Sequence, residues 1–431
     1  MASSYRGGRV ARISLPRLSP SRIPRLILAD LSELRDKRRR NAWLGADVKP
    51  YVGFRGDFVG RLLRRQGEEW ISERIARVSA RNTDIEKAAG VLRAGGLVAF
   101  PTETVYGLGA NAEDPAAVTR IFETKGRPPS HPLIVHLGSV EQLADWVEEV
   151  PETARLLAEH FWPGPLTLVL RRGRRVPLEA TGGLETVAVR VPDHPVALAL
   201  LSAFGGGVTA PSANRFGSVS PTTADHVRAE LGESVDFVLD GGPCAVGVES
   251  TIVDATGEEL SVLRPGGVTR EELEAVVGRP LAVPATSRVR VPGQHPSHYA
   301  PRARVVLVEP EKVIAEAEAA QELGHRVGVF LPAAFAGAPV AAHAVVAVPG
   351  AMDEYARELY GFLRELDQRG CDLIVASLPE ERGLGLAIAN RLRRAAGPRT
   401  VPSASAPSAA AGVPTGSAAS VVPTASSLQE G

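Results

Sequence analysis

From Asn82 onward, short apolar runs alternate with segments of helical spacing, and the alternation continues to Ala396. A chain patterned this way builds a sheet covered by helices, so the fold class is α/β. Strands are predicted at Leu97–Phe100, Leu133–Leu137, Leu166–Arg171, Val187–Val191, Phe237–Asp240, Thr251–Asp254 and Ser261–Leu263. Helices are predicted at Pro115–Thr124, Val140–Val147, Thr153–His160, His194–Phe204, Thr223–Leu231 and Arg270–Val276. An earlier helix begins at Asn82 or Thr83, either of which can cap it, and ends at Gly95–Gly96. A Pro-, Arg- and His-containing stretch from Val283 to Ala303 precedes a second set. This runs strand, helix, two strands, helix, strand, helix, a small Rossmann-like alternation.

At 431 residues the chain exceeds what one core supports, in keeping with two domains. Forty-nine Lys and Arg balance forty-nine Asp and Glu, so no global charge draws it to nucleic acid or membrane. Any such contact needs a local patch. Cys244 and Cys371 lack metal-ligand spacing and cannot frame a disulfide scaffold. They read as buried thiols in a reducing, cytoplasmic setting. The uncharged run Val327–Met352 is broken by Pro and Gly, which predicts two short buried strands and no membrane span. The first thirty residues hold six arginines and no acid before Asp30. That composition fits a transit peptide, a basic disordered extension or a start placed too far upstream. Residues 1–81 are read as a basic, partly disordered extension with a helix-like segment at Gly56–Val78, and residues 398–431 as a flexible Ala/Ser/Pro tail.

The chemistry is concentrated at the ends of predicted strands. "ETKGRPPSHPLIVH" (Glu123–His136) places Lys125 and Arg127 two residues apart, on one side of an extended segment, with Gly126 for close approach and prolines for stiffness. Two fixed cations beside a strand suit a polyphosphate, whereas an isolated K-G-R-P reads first as a solvated basic loop. "FPTETVYGLGANA" (Phe100–Ala112) reads as a hydroxyl- and glycine-rich binding loop after a strand. In "TVAVRVP", Thr186, Ala188 and Arg190 share one face. Buried Arg190 must meet either an anionic ligand or a structural acid. "TAPSANRFGSVSPTT" (Thr209–Thr223) is rich in hydroxyls and backbone N–H groups, and "LRPGG" ends a strand on Arg264. No Walker A sequence, G-x-G-x-x-G or Ser–His–Asp order is present, so phosphate chemistry by positioning and electrostatics fits best.

These motifs, in order with "WPGPLTLVL", "GVESTIVD" and the linker "HPSHYAPRA", resemble the Sua5/YrdC family of threonylcarbamoyl-AMP synthases in its long, two-domain form. The resemblance spans roughly Asn82–Ala396. It implies a YrdC-like twisted mixed sheet at 82–282, a linker and lid at 283–303, and a smaller Rossmann-like domain at 304–397. It also implies a nucleotidyltransferase joining L-threonine, bicarbonate and ATP, with Mg²⁺, into threonylcarbamoyl-adenylate and pyrophosphate. A separate transferase then modifies tRNA adenosine. By motif, Lys125 and Arg127 are catalytic, and these two with His131, Thr186, Ser212, Ser220 and Arg264 surround ATP. Thr104, His136, Arg190, Ala210 and Ser250 surround L-threonine, Tyr299 is the lid, and no protein side chain is assigned to metal. His131 stands where many members carry Asn. The competing reading is a tRNA or translation factor binding RNA weakly through a basic concave surface, which a chain with few aromatic residues serves poorly.

Overall fold

The computed structural model describes residues 82–284, 290–293 and 298–397. The basic extension, its Gly56–Val78 segment and the Ala/Ser/Pro tail lie outside these residues.

Among the described residues, β1 (Val98–Phe100), β2 (Gly107–Asn111), β3 (Ile134–His136), β4 (Leu166–Arg171), β5 (Thr186–Arg190), β6 (Val208–Thr209), β7 (Phe237–Val238), β8 (Thr251–Asp254) and β9 (Ser261–Arg264) form one mixed sheet in the order 7-1-2-6-3-5-4-8-9. Its centre pairs β3 parallel to β5 and antiparallel to β6, with His136 opposite Arg190 on one side and Val208 on the other. On β5, Val187 and Val189 enter the main core, which Val191 extends, while Ala188 packs on the other face with Ile134, Val169 and Ile252. The alternation along this strand thus separates two buried faces.

Helix placement follows local signals. In the helix Pro115–Lys125, Asp114 accepts hydrogen bonds from the Ala116 and Ala117 amides and proline opens the first turn. A cap of this kind is worth about 1 kcal/mol. Ala117, Val118, Ile121 and Phe122 make the buried stripe. The predicted Val140–Val147 helix forms as a 3₁₀ turn at Val140–Gln142 followed by one α turn at Leu143–Trp146.

Two strands differ from the sequence reading. β2 occupies the Gly-rich stretch expected to be a loop, and β6 is only two residues long. Gly109 reads locally as a turn residue, yet it serves packing. A Cβ there would lie 2.8 Å from both the Phe100 ring and Val208 of the flanking strands. Only the assembled sheet reveals that close approach.

β10 (Arg304–Val308), β11 (Val327–Leu331), β12 (Ala344–Ala347) and β13 (Leu373–Ser377) form a second, wholly parallel sheet in the order 10-13-11-12. The uncharged run Val327–Met352 supplies β11 and β12. No helix of the described residues is long and apolar enough to cross a membrane. The helix Val313–Glu322 covers one face of this sheet with Val313, Ala317 and Ala320. On the other face, helices Met352–Gln368 and Leu384–Ala396 bury Leu359, Tyr360, Leu363, Ile388 and Leu392. That core continues into Val105, Val219, Val248 and Tyr299, so the helix layer of the small sheet packs against connecting segments of the large sheet and against the linker. Arg364 adds an ion pair to Glu230 at 2.7 Å across the same boundary. Cys244 and Cys371 are both buried, and burial pushes the Cys244 thiol up to about 12.

Candidate active site

The chain folds back repeatedly onto one hollow. Thr102, Thr104 and Val105 reach it from the β1–β2 connection, and Ile134 and His136 from β3. Arg190 ends β5, Ala210, Pro211 and Ser212 follow β6, Glu249 and Ser250 precede β8, and Arg264 ends β9. Arg127 enters from the segment after the helix Pro115–Lys125, and Pro292, Gly293, His298 and Tyr299 close the space from the linker. The space left between these side chains is about 50 Å³.

Each guanidinium is held by a fixed set of acceptors. Arg190 contacts Glu103 at 2.7 Å and donates to Thr104 Oγ1 at 3.0 Å and to the Gly164 carbonyl at 3.2 Å. Arg264 donates to the Ser250 carbonyl and hydroxyl at 2.8 and 3.1 Å, and to the Pro292 carbonyl of the linker at 3.2 Å. Arg127 donates to the Pro132 carbonyl at 3.0 Å, lies 5.8 Å from the Phe216 ring centre, and has no acceptor for its Nε. Burial, with Arg264 nearby, lowers Arg127 to about 10, so it remains a cation at neutral pH. Burial and the adjacent Arg190 push His136 down to about 3, which leaves a neutral ring. His298 is likewise pushed to about 3, by burial first. Burial would raise the Glu249 carboxyl, but Arg391 and Arg264 outweigh it and hold the group at about 2. The hollow therefore holds three cations, one carboxylate and neutral imidazoles, an arrangement suited to anionic ligands. No group of three or more His, Cys, Asp or Glu that could hold a metal occurs among the described residues.

Residues 90–266 match the family Sua5_yciO_yrdC, described as telomere recombination, and residues 268–397 match Sua5_C, described as the threonylcarbamoyl-AMP synthase C-terminal domain. The threonylcarbamoyl-AMP synthase of Pyrococcus abyssi is 46% identical over 331 residues, spanning 74% of this chain and 95% of the relative. That of Bacillus subtilis is 42% identical over 343 residues, spanning 78% and 99%. The chain belongs to the Sua5/YrdC family. Among solved structures, P. abyssi Sua5 complexed with L-threonine superposes with a TM-score of 0.70 at 45% identity, covering 73% of this chain and 94% of that one.

Of the residues expected from the family motifs, Thr104, Arg127, His136, Arg190, Ala210, Ser212, Ser250, Arg264 and Tyr299 line the hollow. Four others do not. Lys125 is buried behind the wall, donating to the Ser212 carbonyl at 2.5 Å and to the Asn214 carbonyl. Its pairing with Arg127 on one side of an extended segment is not observed. The helix runs through Lys125 and Gly126 turns with φ 62°, so the two side chains diverge and period-2 spacing does not apply. Ser220 is fully buried and donates to Glu249 at 2.7 Å, acting on the wall through that carboxylate. Thr186 sits at the opposite end of β5 from Arg190. His131 packs edge-on against Phe216 at 5.4 Å.

Sequence reasoning overlooked Glu103, Glu249, His298 and Arg391. Glu249 sits inside the quoted "GVESTIVD" motif. Arg391 carried a legible signal, because it falls three residues after Ile388 and four before Ala395, on the apolar stripe of its helix. A charge at that position needs a buried partner.

The turn after Arg264 is equally constrained. A Cβ on Gly266 would fall within the backbone of Glu249, Ser250 and Thr251, which cannot rotate away as a side chain can. Gly266→Ala is expected to cost about 3 kcal/mol, which thermal unfolding of the purified variant would register. A melting temperature equal to wild type would refute this close approach.

Proposed function

We propose that the chain is a threonylcarbamoyl-AMP synthase, condensing L-threonine, bicarbonate and ATP into threonylcarbamoyl-adenylate and pyrophosphate. The observation that carries this reading is the convergence of Arg127, Arg190 and Arg264, from three separate segments, on one linker-capped hollow in a chain of this family. At the Arg190 end, the guanidinium faces the amino-acid carboxylate, with Thr104, His136, Ala210 and Ser250 shaping the space around it. The threonine amine condenses with bicarbonate to a carbamate, losing water. A carbamate oxygen then bonds to the α-phosphorus as the bond to the bridging oxygen of the β-phosphate breaks, and pyrophosphate departs with that electron pair.

Arg127 and Arg264 offset the charge that accumulates on the phosphates, and Mg²⁺ arrives as part of the nucleotide substrate. A nucleotide-sized ligand needs roughly 300 Å³ or more. The hollow as it stands offers about 50 Å³, so the cover formed by Pro292, Gly293, His298 and Tyr299 has to move for ATP to enter. Phe216 contacts both His131 and His298, so lifting the cover opens a path to His131. Residues 82–282 serve as the catalytic domain, 283–303 as linker and lid, and 304–397 as the domain behind it. A tRNA-directed transferase takes the product, and the proposed compartment is the cytoplasm.

Direct RNA binding is disfavoured by burial. Lys125, Arg127, Arg190 and Arg264 are only 3–6% exposed, which keeps a polymer backbone away from them. The test is labelled bicarbonate incubated with ATP and each amino acid in turn. Incorporation with L-threonine alone is expected. Incorporation with no amino acid, or equally with many, would overturn the assignment.

A further inference from the structure

Arg391 belongs to the last helix of the small sheet, yet its guanidinium, fully buried, works on the far side of the domain boundary. Its Nε donates to Glu249 at 2.7 Å and one Nη donates to the Pro265 carbonyl at 2.8 Å, next to Arg264. Its central carbon lies 5.2 Å from the ring centre of Tyr299. Tyr360, from the neighbouring helix, donates to both Glu249 oxygens at 2.8 and 3.0 Å and stacks on Tyr299 at 5.8 Å. Glu249 lines the hollow and also receives the Ser220 hydroxyl. One side chain therefore touches a wall carboxylate, the arginine-bearing turn and the cover.

We propose that Arg391 is a positioning residue of the reaction, joining Glu249, the Arg264 turn and Tyr299 into one unit that forms the nucleotide end of the site only when the C-terminal domain is docked. The proposal rests on the functional reading above, since that reading gives the Arg264–Tyr299 end to ATP. The physical basis is twofold. A planar guanidinium can serve a carboxylate, a carbonyl and an aromatic face together, which an ammonium cannot. Removing it also leaves Glu249 as a buried carboxylate without its principal counter-charge. The threonine end draws Arg190, His136 and Thr104 from β5, β3 and the β1–β2 connection and shares only Ser250 with the segment before β8, whereas Arg391 acts on Glu249, the turn after β9 and Tyr299 of the linker. The two ends should therefore separate experimentally.

The test compares wild type with Arg391→Met, Arg391→Lys and the double variant Glu249→Gln/Arg391→Met. Thermal melting first establishes folding. Calorimetry then measures L-threonine and ATP binding separately, and pyrophosphate release gives kcat and KM for each. Arg391→Met should weaken ATP about 30-fold while threonine affinity stays within threefold. Arg391→Lys should fall between, and the double variant should recover about tenfold over Arg391→Met, because no carboxylate is left unpaired. Should Arg391→Met fail to fold, Arg391→Lys carries the same comparison with the charge retained. ATP and threonine affinities that drop in equal proportion would mean general loosening and overturn the proposal. So would a folded Arg391→Met or Arg391→Lys variant that binds ATP as wild type does. ATP binding is read without turnover, so wild type failing to release pyrophosphate with threonine would defeat the functional reading alone.

Discussion

Arg190→Ala should lower kcat/KM for threonine about 1,000-fold while leaving ATP binding nearly intact. Losing a buried charge-assisted pair costs about 3–5 kcal/mol, and each 1.4 kcal/mol is tenfold. Arg190 sits 3% exposed at the end of β5, fixed by Thr104 and the Gly164 carbonyl, so no neighbouring cation can move into its place. The substitution also strands Glu103, whose only ion pair among the described residues is with this guanidinium. Stability should therefore fall as well, and Glu103→Gln/Arg190→Met should restore the melting temperature without restoring turnover. This double variant separates the two readings of Arg190, since it repairs a structural ion pair and leaves a substrate ligand missing. Steady-state pyrophosphate release and thermal unfolding are the measurements. Near-normal threonine kinetics in Arg190→Ala would remove the residue from the site.

Lys125→Met should reduce turnover about 100-fold and, in addition, lower the melting temperature by about 5 °C or more. Hydrogen bonds to a charged donor contribute about 1.5–3 kcal/mol each, and the Lys125 ammonium serves two carbonyls, those of Ser212 and Asn214. Ser212 lines the hollow, so its displacement reaches the nucleotide end without Lys125 facing it. Burial and the nearby Arg127 hold the ammonium well below the usual lysine range, a cost that the Glu230 carboxylate and the two fixed carbonyl acceptors offset in part. The sign of the stability change is the diagnostic. If Lys125 served only as a phosphate ligand, replacing it with an apolar side chain would relieve a buried charge and raise the melting temperature. Lost activity with a higher melting temperature would thus reverse the role assigned from the structure.

The local elements were largely readable beforehand. Asp114-Pro115 opens a helix and Gly126 closes it, whatever lies beyond, and the Val187–Val189–Val191 alternation marks a strand with two distinct faces. Motif residues were readable too, since nine of them, from strand ends, the segment after the helix Pro115–Lys125 and the linker, line one hollow. What resisted reading was any choice made between segments distant in the chain. Gly109 looks like a turn residue until the Phe100 ring and Val208 arrive beside it. Lys125 and Arg127 look like a matched pair until the αL turn at Gly126 sends one to the Ser212–Asn214 carbonyls and the other into the site.

Hydrophobic period, caps and breakers act over a few residues, so an amino-acid string carries them in full, and here they specify two α/β units and the order of their elements. The partner of a buried charge is chosen by distances in space. Glu249 and Arg391 stand 142 positions apart and meet at 2.7 Å. No local pattern encodes that meeting. It exists because two cores pack against each other, and a charge buried at the low-dielectric boundary between them has to be met by an opposite one.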